Sequence, residues 1–224
     1  KSIFSSYVTP KIVNELMRNP EMAKLGGARK DVSILFSDIR GFTSFSEKRQ
    51  PEEVVAILND YLTSMTDVVF RWDGTLDKFV GDAVMVFWGA PLEQKNHAEL
   101  AVRCALDMMK KLKQLQEKWV KEGKEPFDIG IGINTGEVIV GNMGAEGKKM
   151  DYTVIGDHVN LAARSEALTR NYDAHIILTE FTYRRAEELF SKKIIGHVTV
   201  KELDSVKVKG KEKPVVIYGI ESID

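Results

Sequence analysis

The spacing of apolar residues changes period several times along this chain, and each change predicts an element. Val32, Ile34, Leu35 and Phe36 crowd into a compact strand that runs out into Ser37-Asp38-Ile39-Arg40-Gly41. Helical spacing follows over residues 51–72, with Pro51 in the first turn and Glu52 and Glu53 beside its positive end. Asp73-Gly74 reads as a turn, and two strand-like runs, residues 75–80 and 83–88, flank Gly81-Asp82. A long helix with an apolar stripe and a Lys-rich outer face covers 95–122. A second hairpin is predicted from residues 127–133 and 137–140, folded about Asn134-Thr135-Gly136. A helix over 157–169, a strand near 176–178, a helix near 180–189 and two terminal strands complete the chain.

Upstream, Phe4, Tyr7, Val8, Ile12, Val13, Leu16 and Met17 suggest a short amphipathic helix starting after Pro10. Residues 26–30, Gly-Gly-Ala-Arg-Lys, read as a flexible connector. The domain reading is therefore a juxtacatalytic helix and connector over 1–30 and one catalytic domain over 31–224. Strand, helix, hairpin, helix, hairpin, helix, strand is an α+β order, with helices expected on one face of a mostly antiparallel sheet.

Composition narrows the chemistry only slightly. With 224 residues and 43% hydrophobic content the chain can bury a sizeable core. Its 32 basic and 33 acidic residues balance to −1, so nothing calls for nucleic acid or an acidic membrane as partner. The lone cysteine, Cys104, excludes an internal disulfide and a thiolate metal cluster, and fits a reduced, cytoplasmic setting. It falls on the apolar stripe of the 95–122 helix, as a core residue would. No apolar run reaches the roughly 18 residues of a membrane span. The first residue is not Met, which fits a piece of a longer protein whose other parts could be membrane-associated.

Candidate chemistry lies at strand ends. The first strand delivers Asp38 to its end, and a Gly-containing turn leads towards a helix, a geometry that points backbone N–H groups at one place. Lys78-Phe-Val-Gly-Asp82 puts a second carboxylate at a hairpin tip. Two such carboxylates suit hard cations such as Mg²⁺. Either aspartate alone reads more readily as a local turn acceptor.

Taken together and in order, FSDIRGFT, DKFVGDAVMVFWG, GINTGEVIVGNMG and YTVIGDHVNLAARSE resemble the class III adenylate and guanylate cyclases, from about residue 31 to 218. The nearest type is the bacterial, cyanobacterial-like subgroup. The resemblance implies a ferredoxin-like βαββαβ core and conversion of ATP to 3′,5′-cyclic AMP and pyrophosphate. It makes Asp38 and Asp82, helped by the Ile39 carbonyl, the ligands of two divalent metal ions, Mg²⁺ with Mn²⁺ able to substitute. The amides from Ile39 to Thr43, including those of Gly41 and Phe42, would hold the β- and γ-phosphates. Lys78 and Thr153 match the purine-reading pair, Asn160 and Arg164 the ribose and α-phosphate groups, and Lys209 a triphosphate lysine. Mammalian relatives often carry another phosphate-binding Arg, yet residues 172–175 contain none, leaving Arg170 or the main chain as substitutes.

The Lys78/Thr153 pair favours adenine, because an ammonium donates to N1 and a hydroxyl can accept from the 6-amino group. Family members that use GTP typically carry Glu and Cys there. In the family the metal aspartates and the Asn/Arg pair of one site come from different chains, and this chain holds both sets. The implied assembly is a homodimer with sites at the interface. Upstream sensor modules and bicarbonate responsiveness are further expectations of the resemblance. The rivals are a guanylate cyclase and a non-catalytic nucleotide-binding or dimerisation domain. A diguanylate cyclase is disfavoured, since Phe79-Val-Gly-Asp82 stands where its GG[DE]EF-type hairpin would be.

Overall fold

The computed structural model describes residues 9–209 and 211–223. Helix α1 (Pro10–Arg18) opens with proline at its first turn and buries Ile12. Phe4, Tyr7 and Val8 lie outside the described residues. A 3₁₀ turn leads into strand β1 (Gly26–Ile39), so residues 26–30 are strand and not a connector. They pair with residues 138–142 of the long strand β4 (Ile129–Ala145), and this pairing satisfies their backbone groups.

Helices α2 (Phe42–Glu47) and α3 (Pro51–Arg71) follow, then the hairpin of β2 (Thr75–Val80) and β3 (Ala83–Trp88), and helix α4 (His97–Lys121). After β4 come β5 (Lys149–Ile155), α5 (Asp157–Leu168), β6 (Ile176–Thr179), α6 (Glu180–Ser191), β7 (Val198–Val206) and β8 (Val215–Ile223). The sheet order is β2-β3-β1-β4-β6-β8-β7, with β5 pairing the far half of β4. Among the described strands only β4 and β6 pair in parallel. The units β1-α3-β2-β3-α4-β4, with strands ordered β2-β3-β1-β4, make the expected ferredoxin-like core. The α+β class and mostly antiparallel sheet agree with the sequence reading.

Two further features differ from that reading. The predicted hairpin about Asn134-Thr135-Gly136 does not exist, because β4 runs straight through it and pairs with β1 along its length. Asn134 is buried, accepting from Thr179 Oγ1 at 2.6 Å and donating to the His158 carbonyl at 2.8 Å. Gly136 leaves room for the His158 ring, which a Cβ would meet at 2.4 Å. These residues serve packing, and their turn-like composition is misleading.

The helices also occupy both faces. Alternate residues of β1, Leu35 and Ile39, join a large core with α3, α4 and α6, in which Cys104 is fully buried. Val32 and Ile34 face the other way and pack with Val159 and Ala162 of α5. Among the described residues no helix is long and apolar enough to cross a membrane.

Candidate active site

Strand β1 is buried from Val32 to Leu35 and carries Asp38 to its end, where Gly41, at φ 65°, turns the chain into α2. A left-handed residue there favours glycine. Gly81, at φ 62°, makes the matching turn at the β2–β3 tip and presents Asp82. The two tips are tied together, since the Ile39 amide donates to Asp82 Oδ2 at 3.0 Å.

Two carboxylates so placed repel each other. Burial first, then the hydrogen bond and charge of Asp82, push the Asp38 carboxyl up to about 7, against the pull of Arg170. A hard divalent cation relieves the same repulsion by supplying positive charge. Asp38, Asp82 and the Ile39 carbonyl are oxygen donors of the required kind, and among the described residues no group of three or more His, Cys, Asp and Glu forms a closed cage. Such a donor set leaves coordination positions for substrate phosphate oxygens and water, as Mg²⁺ prefers. The donors fit.

The anion-facing amides are fewer than the sequence implied. The Ile39 amide is committed to Asp82, and the Arg40 amide donates to the Asp128 carbonyl at 2.8 Å. The amides of Gly41, Phe42 and Thr43, at the start of α2, have no such partner among the described residues.

Arg170 lies beside the carboxylates. Its Nη2 is 3.3 Å from Asp38 Oδ2 and 3.4 Å from Glu166 Oε1. Glu166 is buried, which raises its pKa against the opposing pull of Arg170. Sequence reasoning missed Glu166, because a Glu on a helix gives no sign that it faces inward. It also missed Tyr61 of α3, whose buried hydroxyl is pushed up first by burial and then by the charges of Asp82 and Asp38.

A second cluster joins β2 to β5. Thr153 Oγ1 donates to Asp77 Oδ2 at 2.5 Å, and Lys78 Nζ lies 3.6 Å from Asp77 Oδ1. Neighbouring residues of a regular strand point to opposite faces. Here the pairing register shifts between Leu76 and Lys78, leaving Asp77 as the extra residue. This bulge lets Asp77 and Lys78 converge. The sequence signal for Asp77 was only a charged residue in an otherwise apolar run.

Asn160 and Arg164 stand on α5 as an exposed pair, and neither side chain has a hydrogen-bond or ion-pair partner among the described residues. Glu166, two residues beyond Arg164 and so about 200° around the helix, points inward to the Arg170–Asp38 cluster. The chain thus brings together Asp38 with Asp82, and Lys78 with Thr153, but links neither Asn160 nor Arg164 to its own carboxylates. Lys209 is exposed after β7, away from any described partner in these clusters.

A mostly antiparallel α+β domain with paired carboxylates at strand ends is suited to cation-dependent phosphate chemistry, and comparison with known proteins identifies the family. The profile of the adenylate and guanylate cyclase catalytic domain matches residues 27–222, and the chain belongs to that family. It is 36% identical over 224 residues to an adenylate cyclase of Anabaena cylindrica, covering 98% of this chain and 43% of that protein. The chain spans less than half the length of the first curated relatives it matches. Among solved structures it resembles the adenylyl cyclase CyaB of P. aeruginosa, with 39% identity, a TM-score of 0.78 and coverage of 89% and 98% of the two chains. The guanylyl cyclase Cya2 is as similar, with 39% identity, a TM-score of 0.77 and coverage of 89% and 96%. Overall likeness therefore does not choose the base.

Proposed function

We propose that this domain is an adenylate cyclase, converting ATP to 3′,5′-cyclic AMP and pyrophosphate in sites shared between two copies of the chain. The observation that carries the base assignment is the convergence of Lys78 and Thr153 on one carboxylate. An ammonium there donates to adenine N1, and the hydroxyl accepts from the 6-amino group. Guanine offers an N1–H and an O6 instead, the reverse pattern.

Asp38, Asp82 and the Ile39 carbonyl would hold two divalent cations. When bound, these supply Lewis-acid activation of the ribose 3′-hydroxyl and charge neutralisation on the triphosphate. The amides of Gly41 to Thr43 hold the β- and γ-phosphates, with Arg170 adding charge where mammalian relatives use another arginine. Asn160 orients the ribose, and Arg164 meets the charge that builds on the α-phosphate, for which a fixed, forked cation is suited. Lys209 is assigned to the triphosphate.

The shared site is supported by helix geometry, since Arg164 faces away from the inward Glu166 and so from the carboxylates of its own chain. Apolar side chains exposed near the base cluster add to this: Phe79 (43%), Val80 (61%), Met150 (39%) and Ile155 (53%). Exposed apolar groups grouped in this way mark a docking face. The segment before the family match is assigned as the link to upstream sensor modules.

The rival base choice rests on the equal likeness to a guanylyl cyclase structure. Rates with ATP and GTP under Mg²⁺ or Mn²⁺ decide between them. Wild type should favour ATP, and Lys78→Glu/Thr153→Cys should shift the preference towards GTP. A wild-type kcat/KM for GTP equal to or above that for ATP would overturn the adenylate assignment.

A further inference from the structure

We propose that Asp77 is a specificity-determining positioning residue, which engages the Thr153 hydroxyl hydrogen in a hydrogen bond and so leaves Thr153 able only to accept from the purine. The inference rests on the reading of Lys78 and Thr153 as the base-contacting pair and explains how a threonine can discriminate there.

A free threonine hydroxyl has one donor and two acceptor lone pairs. It can serve the 6-amino group of adenine or the O6 of guanine, so alone it is a poor judge. In this chain the hydroxyl donates to Asp77 Oδ2 at 2.5 Å. A carboxylate only accepts, which fixes the direction of that bond. The oxygen of Thr153 then presents lone pairs to the base. An amino group satisfies them, whereas O6 meets them with like polarity.

Three further observations support a dedicated role. The Asp77 side chain is 1% exposed, and its Oδ1 has no hydrogen-bond partner among the described residues. A buried, unsatisfied carboxylate oxygen is costly and calls for an explanation. That oxygen lies 3.6 Å from Lys78 Nζ, so one carboxylate faces both base-reading side chains. The β2 bulge is what turns Asp77 to the side where Lys78 and Thr153 meet. Burial raises the Asp77 pKa, against the opposing pull of Thr153 and Lys78.

The test compares ATP with ITP, whose hypoxanthine carries the O6/N1–H edge of guanine without the 2-amino group. Asp77→Ala frees the Thr153 hydroxyl to donate. The ATP/ITP ratio of kcat/KM should fall about tenfold, the factor one neutral hydrogen bond provides. In the Thr153→Val background Asp77→Ala should leave the ratio unchanged, because the hydroxyl it acts through is gone. Asp77→Asn preserves shape and should move the ratio the same way by a smaller factor, even if the alanine variant folds poorly. A ratio within twofold of wild type in folded Asp77→Ala or Asp77→Asn protein would overturn the proposal, as would an equal effect with and without Thr153. Lack of ATP preference in the wild type would instead overturn the underlying base assignment.

Discussion

Asp38 is held where its charge is unwelcome. Burial and the neighbouring Asp82 both oppose its ionisation, and Arg170 compensates only in part. A carboxylate in that position lowers stability in the cation-free protein at pH 8, where the unfolded chain would carry the same charge at ease. Asp38→Asn should therefore raise the cation-free Tm at pH 8 while reducing cyclase activity by at least about a hundredfold. It should also remove the Tm increase that Mg²⁺ or Mn²⁺ gives the wild type. Thermal melts with and without the cation, beside an activity assay, check all three. Asp38 and Asp82 were singled out in the sequence as carboxylates beside a glycine turn, one near the end of β1 and one at the β2–β3 tip, and by their place in the four ordered motifs. Asp77 could not be, since its proposed role depends on a one-residue bulge and on a partner 76 positions away.

At the scale of elements, β4 and α5 form the unit that positions the chemistry. Gly130 and Gly132 lie on the β4 face that receives α5. A Cβ at Gly132 would meet the Glu166 amide nitrogen at 2.1 Å, and one at Gly130 would meet Thr169 Oγ1 at 2.2 Å. The helix therefore sits closer to the sheet than any side chain would allow, and this fixes the height of Asn160, Arg164 and Glu166 together. Gly132→Ala should destabilise the domain by roughly 1–3 kcal/mol through overpacking. It should also reduce kcat, because a displaced α5 moves Arg164. Urea unfolding and steady-state kinetics measure the two effects. Gly136 and Asn134, which meet His158 of the same helix, explain why the sequence misled over 134–136. Glycine and asparagine signal turns when read locally, and only the three-dimensional neighbours reveal that here they admit a helix. The helices and the β2–β3 hairpin were legible because their apolar periods are long and their ends are marked by Pro51 and Gly81. The long β4, half of it exposed to pairing with β5, had no such punctuation.

On the proposed reading, the whole molecule carries two incomplete sets of functional groups. One end of α5 reaches the Asp38 cluster of its own chain through Glu166 and Arg170, while its outer face offers Asn160 and Arg164 to solvent. A second copy that docks on the exposed apolar residues of β2 and β5 would complete both sets by symmetry, giving two equivalent sites. Asp82→Ala and Arg164→Ala disable opposite halves of that arrangement. Each variant alone should be inactive. When the two are mixed and allowed to exchange subunits, each heterodimer holds one site that lacks both groups and one that is intact. Mixing should thus restore activity, approaching a quarter of wild type per chain when exchange is random. A mixture that stays inactive, although the chains demonstrably exchange, would contradict the shared site.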